Sequence, residues 1–215
     1  MLTLVYKDLY QLRRTMLAYA GSGLGLAIFF STYFEVGALG FFIFAVYGLT
    51  LRSAYYEDKY NALVFLRTLP IKAESIVIAK YATTGIILVS AWFFTLAVTT
   101  FFRLTGAPLP PDLLSFYVGA TVAITVIVSI FLVMFFRWGY NLAVTYIRFV
   151  FFGFFLIPFF VMRLQKSLWL QNLVVGFKEI ASLTIFPYLL ALATVGVFLL
   201  SMLFSLRVYT TRGVN

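Results

Sequence analysis

The chain has 215 residues, 63% of them hydrophobic and 11% charged, with a net charge of +9 and a mean hydropathy of +1.03. A water-soluble domain is about 25% charged, so this chain lacks the polar material to cover itself in water, and a polytopic membrane protein is the class that fits. With no histidine and no cysteine, disulfide frameworks, thiolate metal sites, Cys or His nucleophiles and imidazole general bases are excluded. The basic residues are scattered beside apolar runs, a pattern of membrane topology rather than nucleic-acid binding.

Residues 1–14 open with Leu2, Val5, Leu9, Leu12 and Met16 at helical spacing, and with Lys7, Gln11 and Arg14 on the opposite side. This periodicity predicts an amphipathic helix lying at the cytoplasmic membrane surface. The alternatives are a frayed end or a cleaved signal peptide, but the apolar run that follows is too long for a signal sequence.

Six apolar spans follow, each about 20 residues, the length that crosses about 30 Å of hydrocarbon. They cover about 15–34, 36–51, 81–102, 114–136, 142–162 and 183–206. The first two form a tight hairpin around Glu35, and the third and fourth are joined by a proline-rich turn, RLTGAPLPPDL. The connection 163–182 is half apolar (LWLQNLVVGF) and reads either as a re-entrant or surface segment on the outer side or as a plain amphipathic loop. The expected fold is therefore all-α: one transmembrane domain of six helices with an interfacial helix at its start.

Orientation follows from the basic residues. With the N-terminus inside, the inner segments hold Lys7, Arg13, Arg14, Arg52, Lys59, Arg67, Lys72, Lys80, Arg137, Arg207 and Arg212, against Arg103, Arg163, Lys166 and Lys178 outside. Both termini are thus expected in the cytoplasm, and the protein in the cell membrane. Arg148 lies about seven residues into the fifth span, about 10 Å by helical rise. It reads either as snorkelling to the inner headgroups or as lining an inner cavity, where it meets an anionic group of a lipid or peptide.

The stretch 52–80 is the polar exception. It holds eight of the 23 charges: Arg52, Glu57, Asp58, Lys59, Arg67, Lys72, Glu74 and Lys80. As a helix from Tyr56 to Arg67, it places Tyr56, Tyr60 and Leu63 on a face that packs on the bundle. Glu57, Asp58, Asn61 and Phe65 fall on the other side. An exposed aromatic beside two acids suits the groove of a soluble partner; the plainer alternative is a solvated loop.

No phosphate-binding glycine loop is present, and none of the seven acidic residues lies deep in a span. Ion-coupled carriers use intramembrane carboxylates, so the energy for any transport is expected from elsewhere, and no catalytic residue is expected in this chain.

The loop also carries a resemblance. Glu57-Asp58-Lys59, then Leu63 to Lys72 (LVFLRTLPIK), then Ile76 to Tyr81 (IVIAKY) are similar to the signature of small ABC-2 type permeases. That signature reads as an acidic residue, a short helix, Ser-Leu-Pro with a basic residue nearby, and Ala-Lys-Tyr. Thr68 stands where the family usually has Ser, which keeps the hydroxyl. The ends, KDLYQLRR and SLRVYTTRG, are similar to that group as well, so the resemblance spans the chain. The group includes permeases of exporters for amphipathic peptide toxins such as phenol-soluble modulins.

The resemblance implies a pair of six-span permeases, two copies or two different chains, above a cytoplasmic ABC ATPase that binds ATP and Mg2+. It implies no cofactor in this chain. It makes the loop between the second and third spans a coupling helix, with Glu57, Asp58, Asn61, Phe65 and Arg67 as the ATPase-docking residues. It also implies short re-entrant outer helices in 163–182. The expected function is the permease subunit of an exporter for a hydrophobic or amphipathic cargo. An ion-coupled carrier or channel and a non-transport membrane scaffold are the alternatives.

Overall fold

Apolar stretches that must satisfy their own backbone in hydrocarbon have the α-helix as their open-ended solution. In the computed structural model of the chain, every regular element among the described residues, 2–33, 37–69, 71–104, 113–164 and 186–211, is helical. The order is α1 Leu2–Tyr33, α2 Gly37–Lys59, α3 Ala62–Thr68, α4 Ala73–Leu104, α5 Leu113–Trp138, α6 Tyr140–Leu164 and α7 Phe186–Thr211. Among the described residues, Ala73–Phe101, Tyr117–Trp138 and Tyr188–Thr211 are long and apolar enough to cross a bilayer. The hairpin at 34–36, the prolines of 105–112 and the connection 165–185 lie outside the described residues.

Three boundaries differ from the sequence reading. No break separates an interfacial helix from the first span: α1 runs through from Leu2 to Tyr33, because nothing between Arg14 and Thr15 stops a helix. The second span does not end near residue 51; α2 continues to Lys59. The third begins earlier, at Ala73. In both cases charged residues extend an apolar helix without interrupting it, since hydropathy and helix formation are separate properties.

α5 is the hub. Ile124, Ile127, Val128, Phe131, Leu132 and Phe135 recur at steps of three and four and are all buried, giving α5 one continuous inward stripe. It packs against α7, α6 and α2. At its end Gly139 adopts φ +85, a left-handed conformation that glycine reaches without strain. Its N–H closes the last turn on Phe135 O at 3.0 Å, and its carbonyl accepts from Ala143 N at 3.2 Å, starting α6.

α7 packs on α5 and α4 along one face. Leu192, Val195, Leu199 and Leu203 are exposed, whereas Thr194, Ser205 and Tyr209 are buried. Across the seam the Tyr81 hydroxyl of α4 lies 2.7 Å from Ser201 Oγ and 2.9 Å from Ser205 Oγ. Trp92 Nε1 donates to Thr121 Oγ1 at 3.1 Å, which places this indole between α4 and α5 rather than at the membrane interface. Buried threonines such as Thr83 and Thr95 return their hydroxyls to the carbonyl four residues back, so they are satisfied inside an apolar wall.

The Tyr81 contact yields a prediction. Tyr81→Phe leaves the fully buried Ser205 hydroxyl without its tyrosine partner and lowers stability by about 1–3 kcal/mol. Adding Ser205→Ala recovers part of that loss. Thermal unfolding in detergent micelles reads both, and equal melting of wild type and Tyr81→Phe would show that the seam does not depend on this hydrogen bond.

Candidate functional site

Polar chemistry gathers at one end of the bundle, where α1 and α4 begin and α2 ends. Lys80, one helical turn after Val77 on α4, points inward with its side chain 2% exposed. Asp8 of α1 and Glu57 of α2 are each 4% exposed. Lys80 Nζ lies 3.1 Å from Glu57 Oε1, 3.5 Å from Asp8 Oδ2 and 2.7 Å from Ser53 Oγ, to which it donates. Lys7 Nζ closes the group from the rim, 3.1 Å from Asp8 Oδ1 and 3.6 Å from Glu57 Oε1. Two cations and two anions thus share one site contributed by three helices.

The electrostatics are finely divided. Burial pushes the Glu57 carboxyl above its ordinary range; Lys80 pulls it back down, the negative charge of Asp8 adds to the rise, and Lys7 opposes it. Asp8 Oδ1 and Glu57 Oε2 are buried without an aligned hydrogen-bond donor. Removing ions from water costs several kcal/mol each, which attraction recovers only when every partner is in place. The site therefore acts as a three-helix joint. Among the described residues no three His, Cys, Asp or Glu side chains gather as a metal site.

Immediately beyond Glu57 the chain turns out. The expected single helix from Tyr56 to Arg67 is two helices. Asn61 adopts φ 49 and ψ 34, a left-handed conformation that asparagine tolerates better than most side chains. Its N–H bonds to Asp58 O at 3.0 Å, and its carbonyl accepts from Phe65 N at 3.1 Å, restarting the helix as α3. α3 is held through Leu66, which joins the main core. Val64 and Phe65 stand out at 66% and 63% exposure.

The residues expected to dock a partner divide accordingly. Asp58, Asn61 and Phe65 are exposed and close together around the turn. Arg67 belongs to α3, but its side chain lies outside the described residues. Glu57 is the correction: it is buried in the joint, because neighbouring residues on a helix point about 100° apart and only Asp58 faces out. Tyr60, expected against the bundle, is 59% exposed. Tyr56 does pack inward, against Leu12, Leu49 and Ile87. Lys7, read as water-facing, turns to Asp8 and Glu57. Arg148 lies apart, exposed on α6.

The sequence reading missed Asp8 and Lys80 as partners. A signal was present for Lys80: Ile76, Val77, Thr84 and Ile87 fall on its helical face and are all buried.

An all-helical body with apolar outer faces and four charges gathered where three helices meet is that of a helical membrane protein. The chain belongs to the ABC-2 family of transporter proteins, whose profile matches residues 3–210. Such proteins are membrane transport subunits and in general work with an ABC ATPase. No curated protein and no solved structure matches the chain.

Two predictions follow from the joint. Lys80→Met leaves two buried carboxylates short of a counter-charge and destabilises the fold by about 3–5 kcal/mol. The triple variant Lys80→Met, Asp8→Asn, Glu57→Gln regains most of that; a triple variant that melts no higher than Lys80→Met would dismiss charge pairing as the cause.

The second concerns pH. The folded state protonates Glu57 more readily than the unfolded chain, whose glutamates titrate near about 4.3. This group therefore adds stability as pH falls through its folded value, in full once below the unfolded one. Glu57→Gln removes that part of the pH dependence. Melting curves of the two proteins across the acid range should differ in slope in that sense, and parallel curves would refute it.

Proposed function

We propose that the chain is the permease subunit of an ATP-driven exporter in the cytoplasmic membrane. In this reading α1, α2, α4, α5, α6 and α7 make six crossings, with both termini in the cytoplasm. Two permeases form the pathway, and a separate ATPase binds ATP and Mg2+ and docks on the α2–α3 turn. The observation that carries the reading is the exposed Val64–Phe65 edge of α3, beside Asp58 and Asn61. It stands directly beyond a buried joint that ties α1, α2 and α4 together.

The mechanical argument is short. α2 is one helix of 23 residues from Gly37 to Lys59, so displacement of its end is delivered along its whole length. α3 follows after a two-residue turn, and α4 leads back from it into the bundle. A push on Phe65 thus reaches two long helices at once, and Lys80 obliges α1 to follow. ATP closure would shift the balance between two arrangements of these helices only through contacts that differ between them.

A hydrophobic or amphipathic cargo fits the apolar surfaces available. Between α4, α5 and α7 lies an open groove of about 440 Å³, lined by Leu88, Trp92, Val122, Val195 and Phe198 among others. Its walls offer burial to hydrocarbon or to the apolar face of a peptide and almost no counter-charge.

Phe65→Ala is expected to weaken ATPase binding by about 2 kcal/mol or more, the scale of an aromatic anchor, with the melting temperature unchanged. Affinity purification from native membranes measures this. An ATPase recovered equally with wild type and Phe65→Ala would refute docking at α3.

A further inference from the structure

Arg148 is a cation on an apolar helix with no ion-pair partner among the described residues. It lies eight residues after Tyr140, the first residue of α6, or about 12 Å by helical rise. It is exposed and borders the buried stripe Val144, Ile147 and Phe151. Among the described residues, the ion pairs all belong to Lys7, Asp8, Glu57 and Lys80. An arginine at such depth ordinarily has an anionic or carbonyl partner.

α6 packs against α2, which runs antiparallel to it. Tyr55 meets the Tyr140 ring at 5.7 Å, and eight residues deeper Tyr47 stacks on Phe151 at 4.4 Å. A second arginine lies between these levels. Arg52 is exposed, lies 5.6 Å and 5.2 Å over the Tyr55 and Tyr56 rings, and donates from Nε to Tyr56 Oη at 3.3 Å. Both arginines act electrostatically on the Tyr140 hydroxyl, as does Asp58 nearer the helix end.

The outer face of α6 is apolar and exposed at Leu142 before the arginine and at Phe149, Phe152 and Leu156 after it. That continuity favours hydrocarbon chains over water or a polar partner surface. The same end of the bundle carries exposed Lys59 and Arg137, which attract an anionic leaflet. We propose that the exposed surface along the α2–α6 seam binds an anionic phospholipid, with Arg148 and Arg52 as counter-charges to its phosphate and the outer face of α6 as the bed of its acyl chains. This rests on the chain being a membrane protein and stands whether or not an ATPase docks on α3.

The test uses the full chain in nanodiscs, titrated with phosphatidylglycerol or phosphatidylcholine and read by native mass spectrometry. Wild type should retain phosphatidylglycerol preferentially. Arg148→Gln should lose about tenfold in that affinity, the scale of one charge-assisted contact, and leave phosphatidylcholine unchanged. Arg14→Gln, at an exposed position on α1, should behave as wild type.

Where Arg148→Gln does not fold, Arg148→Lys carries the test. It keeps the charge but loses the two-pronged contact, so a partial loss of phosphatidylglycerol affinity is expected. Undiminished phosphatidylglycerol preference in the Arg148 variants overturns the proposal. So does displacement of the lipid by an anionic amphipathic peptide only when Arg148 is present, which would assign this surface to cargo. A change in dimer mass with lipid retention untouched would assign it to a second copy of the chain and would equally overturn it.

Discussion

The ammonium of Lys80 is the constraint around which this molecule is arranged. Buried at 2% exposure, it requires Glu57 at 3.1 Å, Asp8 at 3.5 Å and the Ser53 hydroxyl at 2.7 Å. No two of the contributing helices hold the group alone. A dehydrated charge tolerates little displacement of its partners, because lost attraction is not replaced by water. α1, α2 and α4 are consequently held in one register at this end of the bundle. Apolar packing alone specifies this weakly, since sliding one greasy helix past another changes little in hydrocarbon.

The placement of the outward turn follows from the same constraint. Glu57 is drawn in, so Asp58 on the next position is directed out, and α2 ends two residues later at Lys59. Asn61 then reverses the chain through a left-handed conformation. Leu66 returns to the core, which leaves Val64 and Phe65 no inward place on so short a helix. An exposed apolar edge in water is costly without a partner, and here it lies next to the buried group of Lys80, Glu57 and Asp8. α7 is attached differently: its main packing is against α5, Tyr81 of α4 ties it through two serines, and Leu192, Val195, Leu199 and Leu203 stay outward.

The helices were largely legible because their signal is local. Six apolar runs of spanning length correspond to six long helices among the described residues, and the polar segment after the second run did contain a short helix with Phe65 exposed. Their ends were less legible. Hydropathy falls where charge appears, at Arg52 and before Lys80, yet the helices continue, since arginine, lysine and glutamate are good helix formers. Asn61 was legible as a polar residue but not as the point where one helix becomes two. Its conformation depends on how α2 and α3 are both tied to the core.

By itself, the sequence determined that this is an all-helical membrane protein of the ABC-2 family, with its charge concentrated in one segment. Composition, run length and motif are properties of the chain read in order. Only the tertiary structure decided which charges meet. Asp8, Glu57 and Lys80 are separated by 49 and 23 residues, and no periodicity along one helix records a pairing made between three. That is why Glu57 read as a surface acid beside Asp58, and why Lys7 read as solvent-facing. Burial is set by the neighbour a side chain finds when the helices assemble, and the cost of dehydrating a charge selects the arrangement in which each finds its opposite.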